Sequence, residues 1–507
     1  MNNKILFAAM ASATLVFTSC SDDFLDRQPI GSYVDNEQTA AAGEWNSQIL
    51  LGSINACSSK LVKYSGDGDQ GHFGQKTLDM SGDIMAGDMV KSSNSYGWFT
   101  EQTNRTNTTI SSAENDYVFK YCYELIRDAN QVLDDAGSDV EEPELAQNKF
   151  YWAVAKTTRA YAYMNLINFY SGAYDEWKDK TCVPVYRSQL NQTPAAKQTV
   201  DSIYNLVKMD LTQAITAYEN SGVSSSDVSM PSVDVARTLL AYAYLNTGVY
   251  DKAADLAALA ATQSGRQILP LNQVLTTGFN SVNNNGNNWM WGIDVTVDNT
   301  GGLATFWGHM DVYTYSYASV GDFLCIDDAL FNQIPKNDIR RQWFIGDAEF
   351  QSYFGNVLAP THKFFDPNRV LQGDAVWTND VVYMRAEEPV LIAAEAYTRN
   401  GDVTNGRLWL KKLLAERDAE GTTGTLADTV NTMSADQLLD AIYFNWRVEM
   451  WGEGRALMTM RRFHATNQIG QNTYILSNRG KSISYNDSKI ISVIPQSEVN
   501  SNKNLGK

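Results

Sequence analysis

The chain is poor in the residues that hold metals and run redox chemistry. It has 5 cysteines and 4 histidines among 507 residues. Cys57, Cys122, Cys182 and Cys325 are widely spaced and form no C-x-x-C pair, so the pattern supports neither a zinc site nor a redox motif. Such residues can pair as disulfides in an oxidising compartment, and buried thiols are the simpler expectation. His72, His309, His362 and His464 fall at no metal-ligand spacing. Asp67-Gly68-Asp69-Gln70-Gly71 opens like a calcium loop but lacks the remaining oxygen positions and the closing glutamate. No metal and no cofactor is therefore expected. Basic runs are absent too: 40 Lys and Arg stand against 58 Asp and Glu, a net charge of −18. That balance excludes nucleic acid as a partner, because its phosphates call for clustered cations. Nor does any apolar stretch have the length to cross a bilayer.

The N-terminus carries an address. Lys4 is followed by the apolar run Ile5 to Phe17 and then by Thr18-Ser19-Cys20. This is the layout of an export signal, too short and wrongly flanked for a membrane span. A cysteine directly after small residues reads as a bacterial lipobox, although Phe17 stands where leucine is usual. Residues 1–19 are then a signal peptide, and Cys20 is the lipidated (palmitate-bearing) first residue of the mature protein. The lipid is the only anchor.

What the chain does have is helical period and aromatic rings. Apolar residues recur at helical spacing over Tyr117–Ala136, Glu144–Tyr170, Thr199–Tyr218, Val233–Asn246, Asp251–Thr262, Tyr383–Thr398, Thr404–Ala419, Leu438–Met450 and Gly454–Phe463. Two of the pairs have tetratricopeptide character. Ala241 to Ala254 packs small residues into one helix, turns at Gly248-Val249-Tyr250, and continues with Ala253. Ala393-Ala394-Glu395-Ala396-Tyr397 followed by Gly401 repeats the pattern. Such a unit buries its apolar face only by stacking on others. The expected fold is mainly α: a tetratricopeptide-like helical-repeat scaffold with a long loop-rich insertion carrying short strands. That insertion, about 267–380, loses the helical period and is rich in Asn, Gly, Trp and Tyr. A second loop-like region spans about 65–112. Their aromatic content speaks against disorder.

Several carboxylates attract a catalytic reading. Glu387, Glu395, Glu449 and Glu453 stand with Arg447 and Arg455, and a glycosidase needs two carboxylates across an open cleft. Glu449 and Glu453, however, lie one helical turn apart among arginines and apolar residues, which favours a structural ion-pair network.

Five stretches carry a family resemblance in order along the chain. Cys20-Ser21-Asp22-Asp23-Phe24-Leu25-Asp26, with Pro29 and Gly31, resembles the mature start of SusD/RagB proteins, and its acidic pair is similar to a Bacteroidetes surface-export signal. Thr158 to Leu166 resembles the family's "RA…YF.L" helix. Arg385 to Ala396 is similar to its "R-x-A-E-x-x-L-x-x-A-E-A" helix. Asn445 to Arg455 with Arg461-Arg462-Phe463 is similar to its "E-G-x-R…RR" signature, with Asn445-Trp446 replacing part of the usual opening. Ile494 to Asn500 is similar to the "IP-x-x-E-x-x-x-N" close, without the usual Gln-Asn-Pro-Gly-Tyr ending. The resemblance implies one domain over 20–507 and a non-catalytic lipoprotein on the outer face of the outer membrane. It implies capture of oligosaccharide or polysaccharide and delivery to a SusC-like TonB-dependent transporter. A surface glycoside hydrolase and a peptide-binding member of the family are the alternatives.

A sugar is gripped by an aromatic ring on its C–H face and polar groups at its edge. Trp98 beside Tyr96 meets that need, as does Trp307 in a Gly-flanked loop next to His309 and Asp311. Tyr313, Tyr315 and Tyr317 alternate and would share one face of an extended segment. Trp289 completes the candidates. Its neighbour Trp291 runs into Ile293 and Val295 and reads as packing.

Overall fold

In a computed structural model of the protein, the described residues are 43–506 apart from 64–69, 192, 225–226, 284–286 and 420–424. The signal, Cys20, the mature start and Asp67-Gly68-Asp69 lie outside them. The principal helices are α1 (Gly43–Val62), α2 (Gln75–Ala86), α3 (Thr100–Asn104), α4 (Ala113–Asp135), α5 (Ala146–Tyr170), α6 (Val200–Ser221), α7 (Val233–Asn246) and α8 (Tyr250–Gln263). They continue with α9 (Phe306–Met310), α10 (Glu387–Arg399), α11 (Val403–Ala415), α12 (Ala435–Glu449) and α13 (Ala456–Arg462). The fold is mainly α.

Their starts follow local chemistry. The Ser112 hydroxyl accepts the Asn115 N–H at the head of α4, Thr199 does the same for α6, and Ser434 with Gln437 forms a capping box on α12. From α4 to α8 each helix packs on the one before it. The stack then skips the insertion, because α8 packs directly on α10, and α10 on α11 and α12. Small residues make this junction: Ala253, Ala257 and Ala260 from α8, and Ala393, Ala394 and Ala396 from α10, are all fully buried. Gly248 turns the chain between α7 and α8 at φ 79°, in the left-handed region where a Cβ is costly.

Two expectations need correction. The segment Tyr383–Thr398 does not start as helix: β6 (Val381–Arg385) comes first and pairs antiparallel with β4 (Trp289–Ile293). The region 65–112 is not all loop, since it contains α2, every residue of which is buried. The other two-stranded sheets are β1 (Met89–Lys91) with β5 (Leu324–Ile326), β2 (Thr181–Pro184) with β3 (Lys197–Thr199), and β7 (Thr466–Gln468) with β8 (Ser482–Ser484).

The charged signature is a sealed network. Glu449 receives Arg385 at 2.7 Å, Arg417 at 2.8 Å and Arg340 at 3.2 Å, and all four side chains are fully buried. Glu453 binds Arg385 and Lys363, both at 2.8 Å. Glu387 binds Arg385 and Arg417. Arg447 and Arg455 pair with Asp88 and Glu388 rather than with their own helical neighbours. Burial alone would raise the Glu453 carboxyl, but the charges of Arg385 and Lys363 win and hold it at about 2. These carboxylates tie β6, α10 and α12 together, with none presented to a cleft.

Candidate functional site

Antiparallel pairing of β1 and β5 places Lys91 opposite Leu324. The chain leaving β1 and the chain entering β5 therefore emerge side by side. This short pairing joins the two loop regions that stand far apart in the sequence. The seam continues past the strands. Ser92 N–H donates to the Phe323 carbonyl, the Ser93 hydroxyl to the Gly321 carbonyl, and Ser95 N–H to the Asp322 carboxylate at 2.9 Å. Beneath it, the buried Lys91 ammonium pairs with Asp322 at 2.9 Å and donates to the Asn94 side chain and the Trp98 carbonyl, each at 2.6 Å. Burial lowers the affinity of Lys91 for its proton, and Asp322 works against that shift. Sequence reasoning missed this pair, and nothing local marks it.

On the seam sits an aromatic platform. Tyr96 is 54 % exposed and meets Tyr317 edge-on at 5.1 Å. Trp98 is half-buried and lies 5.7 Å from the same ring. Tyr317, 8 % exposed, stacks on His309 at 5.2 Å, which stacks in turn on Phe73 at 5.3 Å. Tyr315 is also 54 % exposed, and its N–H donates to the Gly373 carbonyl. Burial raises the Tyr317 hydroxyl, and Tyr96 and Tyr315 add to the shift, so the three phenols are electrostatic neighbours. Asn94, Ser95 and Gly97 are exposed beside the rings. Chemically, this is a rigid apolar step with hydroxyl and amide edges, backed by a stack that reaches the core.

The structure brings together Tyr96, Trp98, Tyr315, Tyr317 and His309, the last as a supporting ring. It separates the others. Trp307 is 3 % exposed, lies on α9, packs edge-on against Phe306, and donates its indole N–H to the Asp380 carbonyl. The segment that carries Trp307 is thus a short buried helix. A Cβ at Gly308 would meet the Leu303 carbonyl oxygen at 1.9 Å, so that glycine serves close backbone approach rather than ligand access. Trp289 is buried in β4 against Gly292. Asp311 is buried and closes its own turn, accepting Tyr313 N–H, Thr314 N–H and the Thr314 hydroxyl. Burial pushes its carboxyl up to about 6. Tyr313 is buried against Phe350 and Arg369, with its hydroxyl on Asp347. No ladder of Tyr313, Tyr315 and Tyr317 forms, because turns replace the extended segment that alternation requires. Among the described residues no group of three metal-binding side chains occurs, and no helix is long and apolar enough to cross a membrane.

Comparison with known proteins bears on the whole chain. A family model described as the SusD family matches residues 349–507, and one described as starch-binding associating with the outer membrane matches 36–245. No curated protein matches. A SusD-like carbohydrate binding protein from Bacteroides vulgatus superposes with a TM-score of 0.72 at 21 % identity, over 90 % of this chain and 97 % of that one. A SusD superfamily protein from Bacteroides thetaiotaomicron gives 0.72 at 19 % identity, over 90 % and 98 %. Surface glycan-binding protein A from the same species, solved in complex with laminarihexaose, gives 0.64 at 16 % identity, over 90 % and 98 %. The two family models together cover well over half of the sequence, and the fold agrees over about 90 % of the chain: the chain belongs to the SusD/RagB family.

Proposed function

We propose that the protein is a non-catalytic lipoprotein of the bacterial cell surface that captures a glycan on the Tyr96–Trp98–Tyr315–Tyr317 platform. It is held to the outer membrane by lipid on Cys20, with 1–19 removed and 20–507 as the mature domain. It hands the glycan to a SusC-like TonB-dependent transporter. The observation that carries the reading is the platform: two rings more than half exposed, of which Tyr96 sits on a stack that runs into the core. The glycan-bound relative of the same fold supports it. So does the sealed state of Glu387, Glu449 and Glu453, which leaves those carboxylates no access to a glycosidic bond.

A glycan and peptide array that includes laminarihexaose identifies the ligand. Calorimetry of Tyr96→Ala and Trp98→Ala then tests the platform: each is expected to lose ~1–3 kcal/mol of affinity, by analogy with base stacking on aromatic rings. Unchanged affinity in both, with the fold intact, removes the platform from the proposal. Cys20→Ala is expected to release the protein from membranes, and co-purification from mild detergent to bring a large barrel with it.

A further inference from the structure

Most buried guanidiniums of the scaffold have a carboxylate. Arg385, Arg417 and Arg340 share Glu449, Arg455 takes Glu388, and Arg462 takes Glu395. Arg461 departs from this. It is buried, and among the described residues it makes no ion pair. Its Nη2 donates to the Ile490 carbonyl at 2.6 Å and its Nη1 to the Asn168 carbonyl, while Nε has no hydrogen-bond partner. Arg462 offers no relief, because Glu395 already serves both Arg462 and Arg399. Two guanidiniums thus share that carboxylate, and Arg461 has none. Burial pulls the Arg461 guanidinium down to about 10, and Tyr204 and Cys182 oppose that shift.

Beside these arginines is a cavity lined by Asn168, Tyr174, Tyr204, Asn246, Arg461 and Arg462. Its volume is about 40 Å³, with room for about three water molecules, and it opens to solvent. The Asn168 side-chain oxygen is buried there without a partner, and the Asn246 oxygen accepts from Arg462 at 3.0 Å. A buried cation without a counter-charge is costly, and a planar guanidinium is matched by the oxygens of an oxyanion. The hydroxyl of Tyr174 is committed to Asp201 at 2.6 Å.

We propose that this cavity is a binding site for a small oxyanion of the phosphate, sulfate or carboxylate kind, held by Arg461 and Arg462. The anion supplies the missing negative charge where α5, α6, α7 and α13 contribute to one wall. The site is independent of the aromatic platform and of the glycan reading.

Thermal unfolding of the full chain in mild detergent tests it, in phosphate, sulfate, acetate and chloride at matched ionic strength. At least one oxyanion is expected to raise Tm saturably, on the order of 2 °C at tenfold excess over its Kd, where chloride does not. Asn168→Asp places a fixed carboxylate in the cavity; it is expected to fold, to melt no lower than wild type, and to lose the oxyanion response. Arg461→Gln is expected to lose the response even where its Tm is lower. Equal shifts in all four salts, no shift in any, or a full oxyanion response in Asn168→Asp overturns the proposal and leaves a water-filled cavity.

Discussion

The helical stack and the aromatic platform use the same residue types in opposite ways. Around α10 and α12, tryptophans and charged groups face inward: Trp446 donates to Glu395 at 2.9 Å, and Glu449 carries three arginines. At the platform, the charges Lys91 and Asp322 are the buried part, and rings stand outermost. In the stack, charge is a fastener and rings are filling. On the platform, charge fastens two loops so that rings can face water. Type and spacing alone do not separate these uses; depth does.

Breaking the fastener of the stack should have the largest effect. Glu449→Ala leaves Arg340, Arg385 and Arg417 without their shared carboxylate, and removal of one partner from such a buried set costs ~3–5 kcal/mol. Urea denaturation is expected to show that loss, or the variant to fail to accumulate; an unchanged midpoint would remove the network as a stabilising element. Trp307→Ala is expected to cost a similar ~3–5 kcal/mol of stability through the cavity it leaves. Its folded fraction should still bind glycan at close to wild-type affinity, the reverse of Tyr96→Ala. If Trp307→Ala stays stable and loses affinity, the division between filling and gripping rings is wrong.

A smaller effect separates two buried carboxylates by pH. Burial, then the nearby Asp88 charge, pushes Asp83 from an ordinary 3.8 up to about 7. The folded chain keeps a proton there that the unfolded chain releases. Its contribution to stability is therefore greatest below pH 3.8 and is lost as pH rises through about 7. Glu453 runs the other way: its contribution is present above its ordinary 4.5 and is lost as pH falls toward 2. Between pH 4 and 7, Asp83→Asn is expected to flatten the decline of stability with rising pH, as measured by denaturant midpoints. Parallel curves for variant and wild type would mean that Asp83 stays ionised in the fold.

Much of the stack was legible because its determinants are local. Apolar residues at helical spacing, the glycine turns and runs of alanine placed α4 to α8 and α11 to α13 within a few residues of their observed ends. Helix α2 was not legible. It is buried all round, yet carries Gln75, Lys76, Asp79 and Asp83, so it has no apolar stripe to betray it. Half of the platform was legible as well, since Tyr96 and Trp98 sit among polar residues with little core to fill. Its other half was blurred: Tyr315 and Tyr317 came bundled with Tyr313, Trp307, Asp311 and Trp289, all of which the fold buries. What joins the halves is a pairing of two three-residue strands, too short to leave a period in the sequence.

That pairing makes the platform a composite of early and late chain. Neither segment forms the platform alone, because Tyr96 leans on a ring contributed more than two hundred residues later. On the proposed reading, binding is therefore a property of the finished molecule and not of any fragment. A chain nicked or misregistered between the two strands is then expected to keep its helices and its circular dichroism while losing the platform. Affinity is thus a stricter report of correct assembly than helix content.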